Sequence, residues 1–240
     1  SSGSLYSNNI LVDNNNITFS DENLSSRYGI YNTNTSYNAN NIFSNNTIYM
    51  PDVNYAGYGI YAFRSLIESN TINIENGYYQ IRGIYGYDLE ITDNTISIDA
   101  SYTSTSSSYI SPGIHIANGG SSDNIITGNR ITFTGGAAAN GIYIYAEDAT
   151  LNGNTIVGNG GYSIYSSSSE LYMYDNLLED IDSGQAGMIY FTGTYPFEAI
   201  NNTIISPLSL TPEGISLNGY STLTLKNNIF YGFSDEAIDN

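Results

Sequence analysis

The chain has no cysteine and no tryptophan, a single histidine, and five lysine and arginine residues in 240. Without cysteine no disulfide staples the fold, so packing and hydrogen bonds must hold it; the redox compartment stays open. Twenty-three acidic residues against those five cations give a formal charge of −18. That balance repels polyanions and excludes nucleic acid as a partner. No apolar run approaches the ~20 residues of a membrane-crossing helix, so no membrane span is expected in this segment. Nor does any window keep a 3.6-residue apolar period, so little helix is expected. There is also no initiator methionine, leader or distinct cap. The expectation is one domain, residues 1–240, cut from a longer protein.

What the chain does have is repetition. An apolar residue, two of any kind, Asn, one of any kind and a second apolar residue recur nine times, centred on Asn15, Asn46, Asn70, Asn94, Asn129, Asn154, Asn176, Asn202 and Asn228. Val12, Phe43, Ile67, Ile91, Ile126, Leu151, Met173, Ala199 and Leu225 precede them; Ile17, Ile48, Ile72, Ile96, Ile131, Ile156, Leu178, Ile204 and Phe230 follow. The asparagines lie 31, 24, 24, 35, 25, 22, 26 and 26 residues apart. A period near 25 with β-branched, alternating content predicts a solenoid of stacked coils.

A second repeat alternates with the first: Gly29-Ile30-Tyr31, Gly59-Ile60-Tyr61, Gly83-Ile84-Tyr85, Gly113-Ile114-His115, Gly141-Ile142-Tyr143 and Ser163-Ile164-Tyr165. It continues through a blurred copy at Gly187, then Gly214-Ile215-Ser216 and Ala237-Ile238-Asp239. Each coil therefore carries at least two strands separated by bends. In a parallel solenoid equivalent residues stack at about 4.8 Å, so an inward Asn at a bend meets its counterparts above and below and satisfies its amide along the stack. Asn also tolerates the left-handed backbone that such a bend requires. These asparagines read as structural, and the flanking Ile positions as aliphatic columns filling the bore.

Strand–Asn-bend–strand coils with Asn and Ile ladders resemble the right-handed parallel β-helix, pectate-lyase-like superfamily, over residues 10–240. The resemblance implies an all-β, right-handed parallel β-helix of about nine coils. It implies much less about function, because that scaffold hosts lyases, hydrolases, epimerases, tailspikes, adhesins and passenger domains. The Lys-poor, Asn/Ser/Thr/Tyr-rich surface fits the adhesin and passenger kind, secreted or displayed on a cell surface. In the hydrolase branch a Gly-His-Gly motif and clustered aspartates carry the chemistry; here Pro112-Gly113-Ile114-His115-Ile116 lacks the second Gly.

Two readings of function remain. With each repeated Ile inward, strict alternation sends Tyr31, Tyr61, Tyr85, His115, Tyr143 and Tyr165 outward in one exterior column, with Phe63, Tyr87 and Tyr145 beside it. Such a stripe suits a glycan or a cell-surface protein, with Tyr61, Tyr85, Tyr143 and Tyr165 as the ligand-binding residues. The competing reading is a polysaccharide lyase or glycoside hydrolase, with His115 as acid or base near Asp88, Glu147 or Asp148 and Arg82 as the least implausible cationic base. No cofactor is expected; calcium is the one candidate, at Glu179-Asp180-Ile181-Asp182-Ser183-Gly184, which lacks EF-hand spacing and reads better as a solvated loop. Excursions at Ser20–Asn41 and Asp99–Pro112 are expected on the outside. Unpaired coil ends invite end-to-end or edge association.

Overall fold

The computed structural model describes residues 9–20, 26–34, 40–100, 110–120, 123–135, 139–145, 147–158, 161–167, 170–181, 188–206, 213–220 and 222–239. Among these there is no helix; every strand joins one of three parallel sheets of nine strands each. Ser65–Glu68, Thr71–Gly77 and Gln80–Gly86 make one such coil, adding a strand to the first, second and third sheet in turn. The chain is a parallel β-helix, as the repeats imply.

Apolar residues stack on like residues because the register is in step. Ile96 pairs with Ile72 on one side and Ile131 on the other, and Ile84 with Ile60 and Ile114 in the third sheet. All are buried. Each such side chain gains about 1.5–3 kcal/mol on leaving water, and the columns supply most of the cohesion between coils.

The asparagine ladder is unbroken from Asn15 to Asn228. Its repeating unit is bidentate: Asn70 donates both its backbone N–H and Nδ2 to Asn94 Oδ1, each at 2.9 Å. A second Nδ2 hydrogen reaches back to the preceding coil, as from Asn94 to the Ile67 carbonyl at 2.9 Å. Every buried polar atom of the amide is thereby matched.

The left-handed backbone lies one residue earlier than expected. The residue before each ladder position has positive φ: Asn14, Asn45, Ser69, Asp93, Gly128, Gly153, Asp175, Asn201 and Asn227, at 53° to 66°. Small polar residues and Gly occupy all nine positions because they tolerate that conformation.

The Gly of Gly-Ile-Tyr also corrects the alternation. A Cβ on Gly59 would stand 2.5 Å from Ile72 Cγ2 and 2.6 Å from the Gly83 carbonyl, so this backbone lies against the bore. Gly59 and Ile60 both face inward, and Tyr58 and Tyr61 on either side of them lie against each other on the outer face. Of the blurred copy, Gly187 lies outside the described residues, but Ile189 is buried and Tyr190 pairs with Tyr165.

The two excursions fall largely on 21–25, 35–39 and 101–109, outside the described residues. Of the acidic stretch, Asp182-Ser183-Gly184 is likewise outside. Asp180 closes the strand Leu177–Asp180 and is buried, not part of a solvated loop.

Candidate functional site

The outer face of the third sheet gathers the aromatics. Tyr31, Tyr61, Tyr85, His115, Tyr143, Tyr165 and Tyr190 form a continuous column, with successive ring centroids 4.7 to 5.2 Å apart. Phe63 packs on Tyr61 and stacks on Tyr87, as the alternation beyond the Ile predicts. Because Gly faces inward, a second column stands beside the first, and the alternation reading missed it. Tyr28 and Tyr58 stack at 4.9 Å and touch Tyr31 and Tyr61 edge-on, while Tyr162 lies against Tyr165 and Tyr190. The available signal was the residue before each Gly-Ile: Tyr28, Tyr58, Arg82, Pro112, Asn140 and Tyr162.

The column is on one face but not evenly exposed. Tyr31 is 59% exposed, Tyr61, Tyr85, Tyr165 and Tyr190 are half-buried, and His115 and Tyr143 are only 8% exposed. The expectation of a fully exterior stripe therefore fails in the middle. Ring packing varies along the column: Tyr85 and Tyr143 meet His115 edge-on and Tyr31 is tilted on Tyr61. Tyr143 and Tyr165 stack at 4° and Tyr61 and Tyr85 at 26°, so in these two pairs ring face meets ring face.

Those hydroxyls are uncommitted. Tyr61, Tyr85, Tyr143 and Tyr165 make no hydroxyl hydrogen bond among the described residues, and none of these oxygens is a buried orphan, so each reaches solvent. Burial, and then the neighbouring rings, push the phenols of Tyr61 and Tyr143 up to about 12. They remain neutral donors at physiological pH. Elsewhere on the molecule tyrosine hydroxyls are tied to carboxylates: Tyr172 to Glu170 and Tyr174 to Glu198, both at 2.6 Å, and Tyr49 to Glu75 at 2.9 Å.

Arg82 is the cation of this face. It is buried between the rings of Tyr58 and Tyr85, at 5.1 and 5.0 Å, a geometry in which the ring faces replace a counter-charge. Its Nη1 donates to the Tyr58 hydroxyl and its Nε to His115 Nδ1, the latter at 2.9 Å. His115 is therefore a neutral acceptor. Burial first, and then the charge of Arg82, lower its pKa to about 3.

As an acceptor from Arg82, His115 has its Nδ1 already engaged. The three carboxylates expected beside it have other partners: Asp88 pairs with Arg64 at 2.9 Å, Glu147 accepts from the Gly119 and Gly120 amides at 2.8 and 2.9 Å, and Asp148 accepts from the Glu170 amide at 2.8 Å. An imidazole that protonates near pH 3 is also a poor base at neutral pH.

A separate groove of about 540 Å³ lies along the outer face of the first sheet. Ile42, Leu66 and Ile125 contribute apolar lining, and Arg64, Asp88, Glu90 and Asp123 its charge. Arg64 has φ 49°, a conformation that long side chains seldom adopt. Among the described residues, no three His, Asp or Glu side chains gather closely enough to hold a metal ion.

No protein-family model matches the sequence, and no curated protein matches it either. Among solved structures, the A-module of the mannuronan C-5 epimerase AlgE4 from Azotobacter vinelandii is similar, with a TM-score of 0.49 and 14% identity over 83% of this chain and 62% of that one. The chain thus spans less than two thirds of that module. The likeness is one of fold.

Proposed function

We propose that this β-helix binds polyhydroxylated chains such as glycans along its tyrosine column, serving presentation and adhesion outside the cell or at its surface. The observation that supports this is the comb of uncommitted hydroxyls, one per coil at Tyr61, Tyr85, Tyr143 and Tyr165, on rings held by stacking. Rings locked by their neighbours lose little entropy on binding, and their hydroxyls both donate and accept, as sugar hydroxyls do. Arg82, shielded by Tyr58 and Tyr85, fixes the middle of the comb through His115.

The test is a glycan array followed by titration of the purified chain with the neutral polysaccharides that score. Tyr61→Phe with Tyr85→Phe keeps both rings and deletes two hydroxyls. The double change should weaken binding about tenfold, taking 0.5–1.5 kcal/mol per hydrogen bond, with the thermal midpoint held. Unchanged affinity would refute the hydroxyl comb.

A second reading rests on the groove, where Asp88, Glu90 and Asp123 face one apolar-floored cleft. There the chain would act as a polysaccharide lyase or glycoside hydrolase. New reducing or unsaturated ends, lost in Asp123→Asn and kept in Tyr61→Phe, would favour it over binding alone.

A further inference from the structure

We propose that the tyrosine column is a site of oxidative cross-linking, at which a one-electron oxidant joins Tyr61 to Tyr85 and Tyr165 to Tyr190 as dityrosine. A haem peroxidase turning over hydrogen peroxide is an oxidant of the required class. The links would staple successive coils, whether or not the column also binds glycans. Competition for the oxidant favours this site. Cysteine and tryptophan, which yield an electron more readily than tyrosine, are absent, and the chain has 24 tyrosines. The three methionines, Met50, Met173 and Met188, are at most 1% exposed and out of reach of an external oxidant. An oxidising equivalent arriving at this surface therefore settles on a phenol.

The fold already holds the rings in pairs. Tyr61 and Tyr85 are register partners on adjacent strands, as are Tyr165 and Tyr190. Their ring centroids stand 4.8 and 5.2 Å apart, at interplanar angles of 26° and 23°. A carbon–carbon bond between two rings sets their centres a little closer than this, so forming it asks for a turn of the side chains and no movement of the strands. All four rings are half-buried and not sealed, so an oxidant reaches them. Their hydroxyls make no hydrogen bond among the described residues, and none is a buried orphan, so the phenolic proton leaves to water as the electron goes. The middle of the column limits where links form. His115 stands between Tyr85 and Tyr143 and has no phenol to couple. Tyr143 stacks on Tyr165 at 4.7 Å but is only 8% exposed, which leaves Tyr190 as the accessible partner of Tyr165.

The step balances on each pair. Each phenol gives up one electron and its hydroxyl proton and becomes a phenoxyl radical. The two radicals combine, forming one carbon–carbon bond between the ring positions beside their oxygens. Each of those carbons then releases its hydrogen as a proton, and each oxygen takes one up. The pair loses two hydrogen atoms in all, which reduce one hydrogen peroxide to two waters. The new bonds join residues 24 and 25 positions apart, in a chain that has no cysteine. Each closes a loop in the unfolded chain as a disulfide would, and so favours the folded state.

Photo-oxidation of the full chain with a ruthenium tris-bipyridine complex and persulfate, in solutions so dilute that chains rarely meet, tests this. Native wild type should gain dityrosine fluorescence in the species that runs as a monomer on a denaturing gel. Its mass should fall by two hydrogens per link. After cleavage at Arg and Glu, the fragments holding Tyr61 and Tyr85 should stay joined, as should those holding Tyr165 and Tyr190. The thermal midpoint of the linked chain should rise by about 5 °C or more. Tyr61→Phe with Tyr190→Phe keeps the ring stacks and removes one phenol from each pair, so both joined fragments should vanish with the circular dichroism spectrum unchanged. In strong urea, where the pairs are no longer held, the intrachain yield should fall about tenfold or more. Links that form only between chains would overturn the proposal. So would an equal yield in urea, joined fragments that survive the double change, or a midpoint that does not move.

Discussion

The asparagine column and the tyrosine column repeat once per coil at the same pitch, one inside the helix and one outside. Both present a row of polar atoms. Inside, each amide spends its hydrogens on the next Oδ1 and on a carbonyl of the coil before. Outside, the ring bodies satisfy one another and the hydroxyls of Tyr61, Tyr85, Tyr143 and Tyr165 are left over. A ladder whose polar groups are all matched is scaffold. One whose polar groups are spare has the capacity to bind. The same pitch thus serves two ends, and only the count of unspent donors and acceptors separates them.

That contrast can be attacked from the inside first. Ile96→Ala, in the middle of the second sheet's buried column, should destabilise by about 2–5 kcal/mol and lower the thermal midpoint more than any exterior change. Next comes the ladder: Asn129→Leu strips the Oδ1 acceptor from Asn94 and the Nδ2 donor from Asn154, leaving only the backbone N–H of residue 129 to it, costing about 1–3 kcal/mol in chemical denaturation. An unchanged midpoint for Asn129→Leu would place the asparagine column on the same footing as the tyrosines.

His115 gives a smaller effect with a definite sign. Its folded pKa, about 3, lies below the ordinary 6.5, so the unfolded chain takes up the proton first as pH falls. The stability tied to the neutral imidazole is complete above about pH 6.5 and is lost progressively towards pH 3. Relative to His115→Gln, which keeps an acceptor for Arg82 and does not titrate, the wild type should lose about 1–2 kcal/mol between pH 7 and pH 5. The smallest effect is expected of Tyr165→Leu, which removes ring contacts with Tyr143 and Tyr190 worth about 0.2–1 kcal/mol each. A larger loss than that of Asn129→Leu would make the tyrosine column the scaffold.

The interior was legible in the sequence because a polar residue kept between apolar ones at every repeat has few roles other than a bend with stacked amides. The residues before it, from Asn14 to Asn227, spell out the left-handed position just as clearly. That tolerance went instead to the ladder Asn, because Asn suits either place. The second aromatic column was hidden for a different reason. Glycine has no side chain to mark its face, so an alternation count through Gly59 assigns it outward when its backbone lies against Ile72. Arg82 on His115, and the burial of His115 and Tyr143, depend on contacts between coils more than 20 residues apart, which no local pattern records.

The ladder bonds run along the helix axis, while the covalent chain runs around it. A load applied between the two ends is therefore carried from coil to coil by hydrogen bonds and packing, never by the peptide backbone alone. At any cross-section three short strands share the force, and when one section gives way its coil unwinds while the rest stay closed. With 24 to 26 residues in most coils, each release would pay out about 80 Å of slack chain. The molecule would lengthen under tension in steps of one coil, each dissipating work before the next is loaded.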